Sequence, residues 1–102
     1  MKLIETLTDK IAEEINDAKC YATMALENKD SRKGLAETFF MLSNEEMKHM
    51  SLLHNEVVKI IEEYRKANGE PPKGMMTLYE YVHRKHIAAA GEVKALQALY
   101  KE

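Results

Sequence analysis

Glu46 and His49 form a Glu-x-x-His pair inside Glu45-Glu46-Met47-Lys48-His49. Residues three apart on a helix share a face. The apolar positions around the pair, Leu35, Phe39, Leu42, Leu53, Val57, Ile60 and Tyr64, fall on that same helical stripe. A carboxylate and an imidazole at such positions are costly unless something compensates them. A metal ion is one compensation, and a carboxylate–imidazole donor set suits iron or manganese, with zinc as a further choice. A third donor comes from the preceding helix. Glu14 lies on its stripe with Leu7, Ile11, Ala18, Tyr21 and Ala25. If the turn between the two helices centres on residue 31, Glu14 is 17 residues before it and Glu46 and His49 are 15 and 18 after it. An antiparallel hairpin brings all three to one level, where the carboxylates would repel and one would stay protonated without a cation.

The elements that hold these residues follow from periodicity and punctuation. A first helix is predicted over about 2–28, on the stripe Ile4, Leu7, Ile11, Ile15, Ala18, Tyr21, Ala22 and Ala25. Asn28-Lys29-Asp30-Ser31 breaks it, and Asp30 or Ser31 offers a cap to the next helix. The second is predicted over about 32–67 and ends at Asn68-Gly69 and Pro71-Pro72. The third is predicted over about 77–100, started by a Thr77-x-x-Glu80 capping box, with the stripe Leu78, Tyr79, Val82, His86, Ala89, Val93, Leu96 and Tyr100. Nothing alternates in the manner of a strand. The fold class expected is all-α, a single domain over residues 1–102: an antiparallel hairpin plus a third helix. At ~1.5 Å per residue the second helix spans roughly 50 Å, long for so small a chain. Three such helices leave a bundle with an open side. A four-helix bundle completed by a second copy, and so a homodimer or higher homo-oligomer, is the expected closure.

Composition narrows the function. The 102 residues are 45% hydrophobic and 31% charged, ordinary for a helical domain. A formal net charge of −2 gives no electrostatic case for nucleic acid. No apolar run approaches the ~20 residues of a membrane span. Met1-Lys2-Leu3-Ile4-Glu5 lacks the apolar core of a signal peptide. Cys20 is the only cysteine, which rules out a disulfide framework and a Cys-x-x-Cys site. A reducing cytoplasm is the expected compartment.

Helical di-iron proteins use a Glu from each of two helices and a Glu-x-x-His from each of two more. One hairpin here carries half of that set. At these residues the chain resembles the ferritin-like superfamily, in particular its rubrerythrin and encapsulated-ferritin branches. Glu14-Ile15-Asn16-Asp17-Ala18-Lys19-Cys20-Tyr21 is similar to the first rubrerythrin helix, where a ligand Glu precedes a Tyr by seven. Leu42-Ser43-Asn44-Glu45-Glu46-Met47-Lys48-His49 is similar to the second. The run Glu45 to Leu53 also resembles the encapsulated ferritins, half-length chains that build a ferroxidase centre across a dimer interface. The resemblance covers about residues 3–60. It implies that Glu14, Glu46 and His49 are ligands of a di-iron centre. It also implies a ferroxidase-type oxidoreductase acting on ferrous iron with O₂ or peroxide, for iron handling or oxidant defence. It raises an encapsulin shell as a partner, although Gln97-Ala98-Leu99-Tyr100-Lys101-Glu102 reads as helix where such proteins carry a docking peptide. The chain has no second helical pair and no four-cysteine electron-transfer domain. The competing expectation is a non-enzymatic helical oligomer or interaction module with a structural metal.

Other polar residues rank lower. Counting back across Pro71-Pro72 puts Glu92 opposite roughly residue 52, where it would serve as a fourth carboxylate or as a partner to a ligand. Glu80 falls three or four turns away. His54 and His86 lie on or beside helix stripes and read first as interface residues, then as ligands. Tyr21 is placed to hydrogen-bond a ligand carboxylate or simply to pack.

Overall fold

A computed structural model describes residues 1–102 and contains three helices and no strand. They are α1 (Lys2–Asn28), α2 (Lys33–Asn68) and α3 (Lys73–Lys101). The chain forms a rod of 56 × 19 × 18 Å, its length set by the 36 residues of α2. No helix is long and apolar enough to cross a membrane.

Turn chemistry fixes the ends. Gly69, at φ 80°, takes the left-handed conformation that stops α2, and its amide donates to the Arg65 carbonyl. Pro71 and Pro72 then forbid continuation. Two expected caps are not used. Arg32 occupies the position before α2 with no side-chain cap, so neither Asp30 nor Ser31 serves. α3 begins four residues before Thr77, because Pro72 has its φ pre-set near the helical value and its carbonyl accepts from the Met75 and Met76 amides. Thr77 therefore sits inside the helix, where its hydroxyl donates to the Lys73 carbonyl, and the capping box does not form.

α1 and α2 make an antiparallel hairpin, and α3 runs parallel to α1. α3 packs chiefly on α1, while its backbone approaches α2 at few places. Longer side chains bridge that second gap: Phe40 stacks on Tyr100 and His54 on His83. The core is a line of Ile4, Ile11, Ile15 and Ala18 from α1, Val57 and Ile61 from α2, and Val93 from α3.

The buried line of α2 corrects the sequence reading. Ala36, Ser43, Val57 and Ile61 are its buried residues, whereas Leu35, Leu42 and His49 are exposed and Phe39, Glu46, Leu53, Ile60 and Tyr64 are half-buried. The bulky stripe lies on the flank of the hairpin. Small residues fill its centre because Ala18, Ala22, Ala25 and Ala36, all fully buried, let the two backbones close together. Ser43 is the buried polar residue there. Its Oγ donates to the Ala18 carbonyl at 2.7 Å and accepts from Gln97 Nε2 at 2.9 Å. One hydroxyl therefore ties all three helices. Ser43→Ala leaves that carbonyl and that amide without their partner, and is expected to lower the unfolding free energy by about 1–3 kcal/mol in urea denaturation.

Candidate metal centre

Glu14, Glu46 and His49 come together as the counting predicts. One donor atom from each lies within 4.8 Å of the other two. His49 Nδ1 is 3.4 Å from Glu14 Oε2 and 3.7 Å from Glu46 Oε1. Register is pinned one turn away. Ala18 follows Glu14 by four residues and Ser43 precedes Glu46 by three, so the Ser43–Ala18 hydrogen bond locks the two helices at this level.

The two carboxylates are largely buried, with side-chain exposures of 13% for Glu14 and 18% for Glu46, while His49 is half-exposed. Such a pair does not carry two charges comfortably. The hydrogen bond to Glu14 is the main cause that pushes Glu46 up to about 6, with burial and the Glu14 charge adding to it. The same hydrogen bond, received by Glu14, holds Glu14 below its ordinary value, with His49 helping and burial opposing. Below about pH 6 the pair shares one proton, and the imidazole leans on Glu14, the carboxylate that stays ionised.

The centre faces outward from the hairpin, on the side that α3 leaves uncovered. α3 lies along Thr8, Ala12, Asn16 and Lys19 of α1, and none of the five main grooves includes Glu14, Glu46 or His49. On that uncovered side Leu35 and Leu42 are exposed and Phe39 is half-buried, its ring stacked on Tyr21 with centres 6.2 Å apart. Tyr21 thus packs and makes no hydrogen bond to the carboxylates.

The remaining candidates lie elsewhere. Glu92 pairs with Lys19 at 3.0 Å, both more than half exposed, across the α1–α3 seam. The count that brought it near the centre supposed that α3 folds back along α2, and α3 lies on α1 instead. Glu80 is exposed. His54 and His86 lie with His83 in the α2–α3 groove. Cys20 is exposed and free.

Oxygen and nitrogen donors without sulfur suit iron, manganese or zinc. Two carboxylates that ionise together only at a cost are what a cation relieves. No protein-family model, curated protein or solved structure matches the chain.

The sign of the pH dependence follows from Glu46. Its folded value of about 6 lies above the ordinary 4.5, so the stability linked to its proton is present below pH 4.5 and lost as pH rises through 6. In metal-free protein Glu46→Gln removes that penalty. At pH 7.5 its thermal midpoint is expected to rise by about 4–8 °C, corresponding to roughly 1 kcal/mol in a domain of this size. At pH 5, where Glu46 already holds its proton, the gain should largely vanish. Melting curves in the presence of a chelator at the two pH values check this.

Proposed function

We propose that Glu14, Glu46 and His49 are half of a di-iron centre, completed by the same residues of a second copy, and that the assembled protein oxidises Fe(II) with O₂ or peroxide. The observation that carries the reading is the convergence of two largely buried carboxylates and an imidazole, on a hairpin side bordered by uncovered apolar residues. Three donors from one chain are few for two irons. A two-fold axis through this side would supply four carboxylates and two imidazoles, the donor count of helical di-iron proteins. The resemblance of residues 3–60 to the ferritin-like superfamily points the same way.

Each residue then has a chemical task. Glu14 and Glu46 would hold the ions, and their joint charge would favour the higher oxidation state. Glu46 must give up its shared proton on loading, so metal affinity falls as pH drops below 6. His49 supplies a neutral donor from the exposed rim. Leu35, Phe39 and Leu42, with their copies, would form the apolar wall that keeps bulk water from the centre. Bound iron supplies the electrons that O₂ or peroxide accepts.

Metal analysis with light-scattering mass, on protein purified without chelator, tests the assembly. About two irons per dimer are expected, and a fully metallated monomer overturns the shared centre. A single zinc per chain that is lost on Glu46→Gln would mark a structural site at these residues instead. Oxygen uptake after Fe(II) addition tests the activity. Glu46→Ala and His49→Ala are each expected to reduce it at least about tenfold, with helicity retained, and uptake unchanged by either would defeat the assignment.

A further inference from the structure

Three of the four histidines lie outside the carboxylate centre, and all three line one groove. His54 of α2 and His83 and His86 of α3 border a space of about 400 Å³ between the two helices. The His54 and His83 rings have centres 4.8 Å apart and planes within 14° of parallel. His86 follows His83 by three residues, so both project from one side of α3. Met50 precedes His54 by four on α2 and brings a thioether to the same groove. None of the three imidazoles has a hydrogen-bond or ion-pair partner in the protein; only His49 does. The Tyr79 ring stacks on this group as well, with its centre 5.9 Å from that of His83.

From this we infer a second metal site, formed by His54, His83 and His86, that takes an imidazole-preferring ion of the zinc class. The spacing agrees with the chemistry. With Zn–N of about 2.0 Å and a ring centre about 1.1 Å beyond the nitrogen, two imidazoles at a tetrahedral angle hold their centres about 5 Å apart. The observed separation is within a few tenths of an ångström of that. The rings now lie face to face, with their in-plane nitrogen lone pairs not yet on a common point, so loading turns at least one ring out of the stack about χ2, a broad torsion in histidine. His86, which lines the same groove, would supply the third imidazole on turning toward that ion, and water would complete the shell.

Protonation state agrees as well. A metal requires neutral imidazole. Burial, and then the neighbouring His83, hold His54 below its ordinary value, and burial with both neighbours does the same for His86. Two charged groups act on the groove. Asp9 of α1 opposes the lowering at His86 through its charge. Lys94 of α3 lines the opposite part and disfavours highly charged ions. With nitrogen donors and a thioether but no ligating carboxylate, the site differs in class from the centre at Glu14. Its position gives it a task. α3 and α2 approach closely at few backbone positions, and an ion held by His54 on one and His83 and His86 on the other clamps them together.

The test uses the full chain carrying Glu46→Gln and His49→Gln, so that zinc reports on the second site alone. Titration with Zn²⁺ at pH 7.5 is expected to show one ion per chain with Kd of about 10 μM or tighter, and saturation should raise the thermal midpoint. Adding His83→Gln or, separately, His54→Gln should weaken binding at least about tenfold and remove the thermal shift. Circular dichroism verifies that each variant is folded, and either one suffices. Co²⁺ in place of zinc should give visible absorption of tetrahedral intensity, lost in the same variants. No binding below about 100 μM zinc, or binding and thermal shift unchanged in a folded His83→Gln or His54→Gln chain, overturns the site. Because the carboxylate centre is disabled throughout, failure here leaves the iron reading untouched, and failure of that reading leaves this one.

Discussion

The structure turns on two carboxylates held against each other. Glu14 and Glu46 sit on facing helices at a separation where the second of them ionises only above the ordinary carboxylate range, near pH 6. Holding them there requires close and exact helix register, and the sequence spends its smallest residues on this. Ala18, Ala22 and Ala25 on α1 and Ala36 on α2 bring the backbones together, and the Ser43 hydroxyl locks the level. A hydrophobic pair at Glu14 and Glu46 would pack as well and cost nothing in desolvation. The helix-pairing machinery is therefore ordinary, and the polar cargo it positions is what departs from a pure packing solution.

That cargo lies beside an unusually thin core. Thirteen of 102 residues are buried, and Leu3, Met41, Leu52, Leu78, Ile87 and Leu99 are each at least half exposed. A rod 18–19 Å across has no room for a second layer of side chains. Small domains already bury a modest fraction of their surface, and an elongated one buries less. Stability must then come from the seams between helices. In the α2–α3 seam the bridging groups are aromatic and polar rather than aliphatic: Phe40 on Tyr100, Gln97 on Ser43, His54 on His83. Polar bridges fix orientation more strictly than they add free energy, so α3 is well placed on α2 while remaining its weakest neighbour.

Much of this was legible in the sequence, and the misreadings share a cause. Helix number and the bounds of α1 and α2 follow from Asn28–Ser31, Gly69 and the two prolines, because backbone chemistry acts locally. The convergence of Glu14, Glu46 and His49 also follows, since helical rise and one short turn fix the level of facing residues. Burial was harder. Hydrophobic periodicity weights Leu35, Phe39 and Leu42, but close helix packing hides Ala36 and Ser43 and leaves larger neighbours at the flank. Which hairpin side α3 would take was not legible either. Nothing local in Pro71–Thr77 states that choice, and so Glu92 was counted toward the centre when it faces Lys19. The start of α3 differs from the capping-box expectation because Pro72, with its fixed φ, already begins the helix four residues earlier.

The side α3 chose has a further consequence. A hairpin has two faces, and a third helix can lie on only one. Had α3 covered Glu14 and Glu46, the centre would be sealed inside one chain with three donors and no route to a fourth. By lying along Thr8, Ala12 and Asn16 it leaves the carboxylates at an open boundary. On the proposed reading a second hairpin meets them there, and each α3 becomes an outer strut of a bundle whose inner four helices are α1 and α2 of both copies. Dimerisation and metal loading are then one equilibrium: the apolar border alone gives weak association, the ion alone too few ligands, and each supplies what the other lacks. On that reading the chain would couple its oligomeric state to metal supply without a moving part, because its own three donors already converge within one copy.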